Sequence, residues 1–419
     1  MMPTRELRIG DAVILTAAGL DALIRRLAVD HRVVGPRIAD GAIVVRDLAS
    51  AADLPTGWID DQEAGRYRLH RDDAAGPFDH VVGPHSLKNF LFPPREPIAR
   101  FGRVDGEWRE LPVDPPERPL AVIGVRGCDL AALAIQDRVF LRGRTEPDGH
   151  VDEAYERRRH KLFLVAVDCR RAAPTCFCHS TGSGPAACSA AAGRTADLTL
   201  TDLGSGPADA VAPALGERRH ACRIGSERGA AVMTAVAAEV FVGHCSADEA
   251  TAAERVPADL ERAMWQRGKE GEGATSGRCL DTGNIRDLLF SNLDHPRWDD
   301  VGARCLSCTN CTLVCPTCFC ASVTEVADLS GDSVTRERHW ESCFSLDHAR
   351  MHGTSVRHTT ASRYRQWLTH KLAGWIDQFG TSGCTGCGRC ITWCPVGIDL
   401  TAEVAAIRES PSAATGGTS

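Results

Sequence analysis

Apolar positions in the first half of the chain fall into short runs separated by turn residues. Leu20–Leu27 repeats at helical spacing, while Arg32–Val34 and Ala42–Val45 read as short strands. Leu120–Val125 and Leu162–Val167 are unbroken apolar runs, the pattern of strands covered on both faces. Between them Leu130–Leu141 returns to helical spacing, with Asp129 placed to cap it. Strand, helix and strand in that order predict a parallel β-α-β unit. Asp197–Thr201 adds a strand and Gly229–Val240 a helix. Residues 246–300 are expected to be mainly helical and polar, interrupted by the Gly-rich stretch Gly268–Gly277. Further on, Tyr364, Trp367, Leu368, Leu372, Trp375, Ile376 and Phe379 share one helical face, and Gly380 is a good stop, which predicts a packing helix.

The chain has 419 residues, too many for one core, so two or three domains are expected. Its 48 basic and 55 acidic residues leave a net charge of −7 with no basic block, which gives nucleic-acid binding no electrostatic support. No run of about 18 apolar residues occurs, so no membrane span is expected. The first residues (MMPTRELRIGDAVIL) lack the basic, apolar and small-residue segments of a secretory signal. Nineteen cysteines without such a signal point to metal ligation in a reducing cytoplasm rather than to disulfides.

Two groups of these cysteines share one spacing. Cys305, Cys308, Cys311 and Cys315, followed by Pro316, form a C-x2-C-x2-C-x3-C-P run, and Cys384, Cys387, Cys390 and Cys394, followed by Pro395, form a second. A [4Fe–4S] cube takes one thiolate at each iron, and in two-cluster proteins the Cys before Pro ligates the other cube. The expected ligand sets are therefore Cys305, Cys308, Cys311 and Cys394 for one cluster, and Cys384, Cys387, Cys390 and Cys315 for the other. A pair of zinc sites is the competing reading, but zinc ribbons normally separate two C-x2-C pairs by a longer loop. Trp393 beside Cys394 is expected to pack rather than relay electrons.

Seven further cysteines fall near these motifs or near strand ends. Pro174-Thr-Cys-Phe-Cys-His-Ser180 echoes Pro316-Thr-Cys-Phe-Cys-Ala-Ser322. Cys128 and Cys169 follow the two apolar strand runs, and loops leaving neighbouring parallel strands emerge at one sheet edge. Cys128, Cys169, Cys176 and Cys178 are thus candidates for a third metal centre, a possible third [4Fe–4S] cluster; buried free thiols are the alternative. Cys318, Cys320 and Cys343 either flank the clusters or form a site completed by a residue such as His339. Cys188, Cys222, Cys245 and Cys279 lack ligand spacing. Gly182-Ser-Gly-Pro-Ala-Ala187 only superficially matches a dinucleotide fingerprint, since Pro185 lies inside it and no strand leads directly into it. No nucleophile elbow, zinc-protease motif or P-loop occurs, so catalysis by the chain alone is not expected.

The expected architecture is an α/β N-terminal region with a parallel β-α-β unit, followed by a mainly helical C-terminal dicluster ferredoxin-like (α+β) domain. Its divisions are an α/β module at 1–115, a β-α-β module with Cys-rich loops at 116–245, and a helical connector at 246–300. A dicluster domain with a helical insert follows at 301–408, with a disordered tail at 409–419. The Pro-rich stretch Leu111–Pro119 marks the first boundary.

Several motifs carry a family resemblance. Gly124-Val-Arg-Gly-Cys-Asp129, Gln136-Asp-Arg-Val-Phe140, Ala173-Pro-Thr-Cys-Phe-Cys178 and Thr181-Gly-Ser-Gly-Pro185 resemble the β subunit of cytoplasmic NiFe sulfhydrogenases, a family that includes the A subunit of anaerobic sulfite reductase. Asn89-Phe-Leu-Phe-Pro-Pro94, Trp340-Glu-Ser-Cys343 and Cys384-Thr-Gly-Cys-Gly-Arg-Cys390 fit the same pattern. The resemblance implies an electron-transfer subunit carrying at least two [4Fe–4S] clusters. Its partners would be a flavin- and NAD(P)H-binding reductase subunit and a catalyst. That catalyst would be the small and large subunits of a NiFe hydrogenase, to which the C-terminal insert is closer, or a sirohaem sulfite reductase. A cluster-based disulfide or sulfur reductase acting by itself is the remaining alternative.

Overall fold

Eight strands form the main sheet, in the spatial order Gly243–His244, Ala12–Leu15, Arg218–Ile224, Leu198–Ser205, Phe163–Val167, Leu120–Val125, Arg32–Ala39 and Ala42–Asp47. The computed structural model describes residues 6–113, 118–189, 192–205, 218–267 and 277–410. The Gly-rich stretch up to residue 276, the middle of the Leu111–Pro119 segment and the tail beyond 410 lie outside the described residues. The four strands Leu198–Ser205, Phe163–Val167, Leu120–Val125 and Arg32–Ala39 run parallel, and the edges are antiparallel.

Helices cover both faces of this sheet, which explains the unbroken apolar runs. On one face the helices Ala17–Asp30 and Glu227–Glu239 bring Leu20, Leu23, Leu27, Met233 and Val236 onto Ile123, Val165 and Leu198. On the other, Gly127–Phe140 and Glu153–His160 bring Leu130, Leu133, Phe140 and Tyr155 onto Val122, Leu164 and Ala166. Each such Leu or Val contributes about 1.5–3 kcal/mol on burial. Both helices on the first face begin with a hydroxyl cap, Thr16 accepting from the Gly19 N–H and Ser226 from that of Gly229. The expected strands and helices of this region overlap these elements, and the parallel β-α-β unit is present.

One expected detail is corrected. Asp129 does not cap its helix, because the helix starts earlier, at Gly127, with Arg126 in the cap position. Asp129 instead lies in the first turn and faces Arg389, a side chain 1% exposed from the other end of the chain. Arg389 Nη2 donates to Asp129 Oδ2 at 3.2 Å, while Nη1 and Oδ1 make a 2.8 Å ion-pair contact off the hydrogen-bond axis. The same guanidinium donates to the carbonyls of Gly83 and His85.

Beyond the sheet, helices Ala247–Arg267, Ile285–Phe290 and Arg297–Arg304 match the expected helical character of 246–300. The expected packing helix forms as Thr360–Thr369 and Trp375–Phe379 joined by a π turn at His370–Gly374, and Gly380 ends it in the left-handed region (φ 65°). The wider turn buries Lys371, Leu372 and Ala373 in succession.

The C-terminal region is helical only in part. Ala321–Ala327 and Ser333–Trp340 form an antiparallel hairpin, and Ser333–Trp340 also pairs with Arg95–Val104, which in turn pairs with Glu107–Leu111. The alternation of Val and Thr with charged residues around a turn at Gly331 is the local signal for strands here. No described helix is long and apolar enough to cross a membrane.

Removing one partner of a buried ion pair costs about 3–5 kcal/mol. Asp129→Asn should therefore lower the thermal unfolding midpoint clearly, whereas Asp148→Asn on an exposed loop should not. Equal midpoints for the two variants would show that the Arg389 pair carries no stability.

Candidate metal centres

The two four-cysteine runs fold as copies of each other. Each places left-handed residues two and four positions after its first cysteine: Ser307 and Thr309 after Cys305, Gly386 and Gly388 after Cys384. In each, the N–H two residues on approaches that first sulfur at 3.4 Å, from Ser307 to Cys305 and from Gly386 to Cys384. A single helical turn follows, Asn310–Leu313 in one and Arg389–Thr392 in the other. Left-handed residues curl the backbone around the sulfurs, and only one run uses glycine for them. The reason is crowding. A Cβ at Gly386 would stand 2.6 Å from Cys178 Cα, and one at Gly388 would stand 2.4 Å from the Thr175 carbonyl oxygen.

Cys305, Cys308, Cys311 and Cys394 line one cavity with about 480 Å³ of empty space, partly open to solvent. Its other walls include Phe344, Tyr364, Trp367, Ile398 and Leu400, and Cys390 borders it from the second run. Cys308 is exposed beside Leu306, whereas Cys394 is buried and accepts the Ile398 N–H at 3.3 Å. The thiol of Cys390 is held well up by burial and then by its neighbours Cys384, Cys387, Cys315 and Cys311. Cys315 meets the Thr317 hydroxyl, which donates to the Gly383 carbonyl beside Cys384, so Cys315 lies next to the start of the second run although it belongs in sequence to the first.

A third group lies against the second run. Cys128 opens the helix after Leu120–Val125, Cys169 follows Phe163–Val167, and Cys176 and Cys178 occupy the loop beyond. Cys128, Cys176 and Cys178 share a buried cluster with which Cys387 is in contact. Burial, and then the neighbouring Cys176, Cys169 and Cys387, hold the Cys178 thiol well up. The loop is stitched to the second run by Phe177 N–H to the Gly386 carbonyl at 2.8 Å and by the Thr175 and Thr392 hydroxyls at 2.9 Å. Thr317, the matching threonine of the second Thr-Cys-Phe-Cys copy, bonds to the Gly383 carbonyl at 2.7 Å.

The remaining cysteines divide. Cys318 shares the Lys371 ammonium with Cys315, and Cys320, Cys343 and His348 lie near one another. His339 faces Thr324 and Glu337 instead. Cys188, Cys222, Cys245 and Cys279 are scattered: Cys188 meets the Thr199 hydroxyl, Cys222 is in the sheet core and Cys279 is exposed. Trp393 stacks on Tyr67 with ring centres 5.1 Å apart. Among the described residues, no three His, Cys, Asp or Glu side chains close in to hold a single metal ion. A cube keeps its thiolates apart by its own width, so the open cavity lined by Cys305, Cys308, Cys311 and Cys394 is the shape it requires.

The sequence alone did not reveal two buried lysines beside these thiols. Lys371 donates to the sulfurs of Cys315 at 3.3 Å and Cys318 at 3.4 Å, and Lys88 to the carbonyls of Thr312 and Leu313. Burial brings Lys88 down to about 8 against the pull of Cys318 and Cys315. A lysine inside an apolar stretch gives no periodic signal, and only folding places it against sulfur.

Residues 304–398 match the family model described as a 4Fe–4S dicluster domain. Iron–sulfur binding is this domain's chemistry. The chain is 26% identical over 328 residues to sulfhydrogenase 2 subunit beta of Pyrococcus furiosus, spanning 77% of this chain and 82% of that one. The resemblance to sulfhydrogenase β subunits holds well beyond the dicluster domain, reaching the α/β region that carries the third thiol group.

Burial pushes the Cys384 thiol of the dicluster domain, and the Cys176 thiol packed beside it, up to about 12. Both are protonated near neutrality, so each must release a proton as iron binds. Anaerobic reconstitution followed by visible absorbance should thus speed up between about pH 6.5 and 8.5 as the thiolate fraction grows. Loading that is flat across that range would contradict proton release from these thiols.

Proposed function

We propose that this chain is the electron-relay subunit of a cytoplasmic, hydrogenase-like oxidoreductase. In this reading it holds one [4Fe–4S] cluster on Cys305, Cys308, Cys311 and Cys394 and a second on Cys384, Cys387, Cys390 and Cys315. A third sits on Cys128, Cys169, Cys176 and Cys178. Such clusters supply one-electron acceptance and release over a wide range of potentials. The observation that carries the reading is Cys394 lining the cavity of Cys305, Cys308 and Cys311, far from it in sequence. The protein's own part is to cage the thiols in largely apolar walls and aim N–H groups at the sulfurs.

Similarity to a sulfhydrogenase subunit beta supports a multisubunit setting. The partners we propose are a flavin- and NAD(P)H-binding reductase subunit and the small and large subunits of a NiFe hydrogenase. A sirohaem sulfite reductase would use the same wire. A second reading, a cluster-based disulfide or sulfur reductase, would use the thiols outside the two runs, Cys318 beside Cys315 among them. Reduction of a disulfide by the isolated, iron-loaded chain with an artificial donor would select that reading over the relay.

Anaerobically purified protein should carry about twelve irons and twelve sulfides, and about eight of each if only the dicluster domain is loaded. Cys176→Ser should lower the wild-type count by about four and leave the spectra of the other centres in place. Cys394→Ser should damage the centre of the earlier run. Colourless protein containing zinc would sink the whole assignment.

A further inference from the structure

Lys371 lies on the π turn and is 3% exposed. Its ammonium is shared among four acceptors: Cys315 Sγ at 3.3 Å, Cys318 Sγ at 3.4 Å, Thr317 Oγ1 at 3.3 Å and the Gly383 carbonyl at 3.3 Å. Trp367 and Trp375 flank it with ring centres 5.9 and 5.7 Å away. Among the described residues no carboxylate is within ion-pair distance of Lys371. A buried cation without a counter-charge is costly, so its place implies a negative partner. The only acceptors able to carry negative charge at this site are sulfurs. Two other buried cations lie nearby: Arg389 is matched by Asp129 and so exports little net charge, and Lys88 donates to the Thr312 and Leu313 carbonyls, not to a sulfur.

We infer that the Lys371 ammonium is the counter-charge of the centre to which Cys315 contributes, and that it raises that centre's reduction potential above the value the thiol cage alone would give. This rests on the ligand sets proposed above. Reduction adds one negative charge to the centre, and a fixed cation against a ligand sulfur stabilises the reduced form more than the oxidised form. Low surrounding polarity strengthens that effect. Hydrogen bonds to ligand sulfurs and burial are known levers on such potentials. Lys371 acts through Cys315 and does not itself transfer electrons. Its effect is to make the centre beside the third thiol group the easier one to reduce.

The test is an EPR-monitored redox titration of the full chain, anaerobically purified, with Lys371→Gln and Lys371→Arg. One midpoint should shift to lower potential in the Gln variant, the others staying put and the iron count remaining at wild type. The Arg variant, which keeps the charge, should restore that midpoint most of the way. Loss of a single centre's iron in the Gln variant with retention in the Arg variant also supports the assignment, because the charge is then required to hold the centre. Unchanged midpoints in the Gln variant, or equal loss of iron in both variants, would overturn it. Wild-type protein with no iron–sulfur signal would instead overturn the cluster assignment, so the two failures are told apart.

Discussion

The backbone of the Thr175–Cys178 loop touches the backbone of the Cys384–Cys390 loop, and most of the molecule is arranged to permit that contact. Gly386 and Gly388 are glycines because any side chain there would enter the facing loop. The equivalent left-handed positions of the first run meet no such neighbour and carry Ser307 and Thr309, at the modest cost of a left-handed conformation. A near-identical pair of loops thus differs where one of them must dock. Arg389, which starts the short helix after Gly388, extends the docking by reaching Asp129 and the Gly83 and His85 carbonyls. The α/β region and the dicluster domain are therefore one packed body around the thiols.

Charge follows the same logic as packing. The thiol groups are walled by aromatic and aliphatic side chains, where free thiolates are disfavoured and their protons held tightly. Into this apolar setting the fold inserts cations: Arg389 with a carboxylate of its own, and Lys371 and Lys88 without one. Lys88 spreads its charge over two carbonyls and the face of Trp340 at 3.8 Å. Backbone N–H groups reach one sulfur at the start of each run and Cys394, from Ser307, Gly386 and Ile398. Cys315 and Cys318 instead take the charge of a side chain, Lys371.

What could be read in the chain before folding was whatever repeats. The paired cysteine spacing, the apolar strand runs and the aromatic helical face all carry their meaning locally, and the structure contains the elements they imply. Asp129 was misread because capping preference is a local rule, while its partner is 260 residues away. The hairpin at Ala321–Trp340 is harder to read for a related reason: its strands are polar and half exposed, so their alternation of Val and Thr with charge is a weak signal, and pairing with Arg95–Val104 supports them. Lys371 and His348 acquire chemical meaning only from the sulfurs that distant segments bring to them.

That shared sheet bears on how the chain is made. Arg95–Val104 leaves the ribosome early with Glu107–Leu111 on one side and nothing on the other, and its second neighbour, Ser333–Trp340, is synthesised more than two hundred residues later. Through most of translation the nascent polypeptide carries an open strand edge, the kind of surface that recruits stray strands from other molecules. Arg95, Arg100 and Arg103 are exposed on that strand, and charge along an open edge disfavours such pairing.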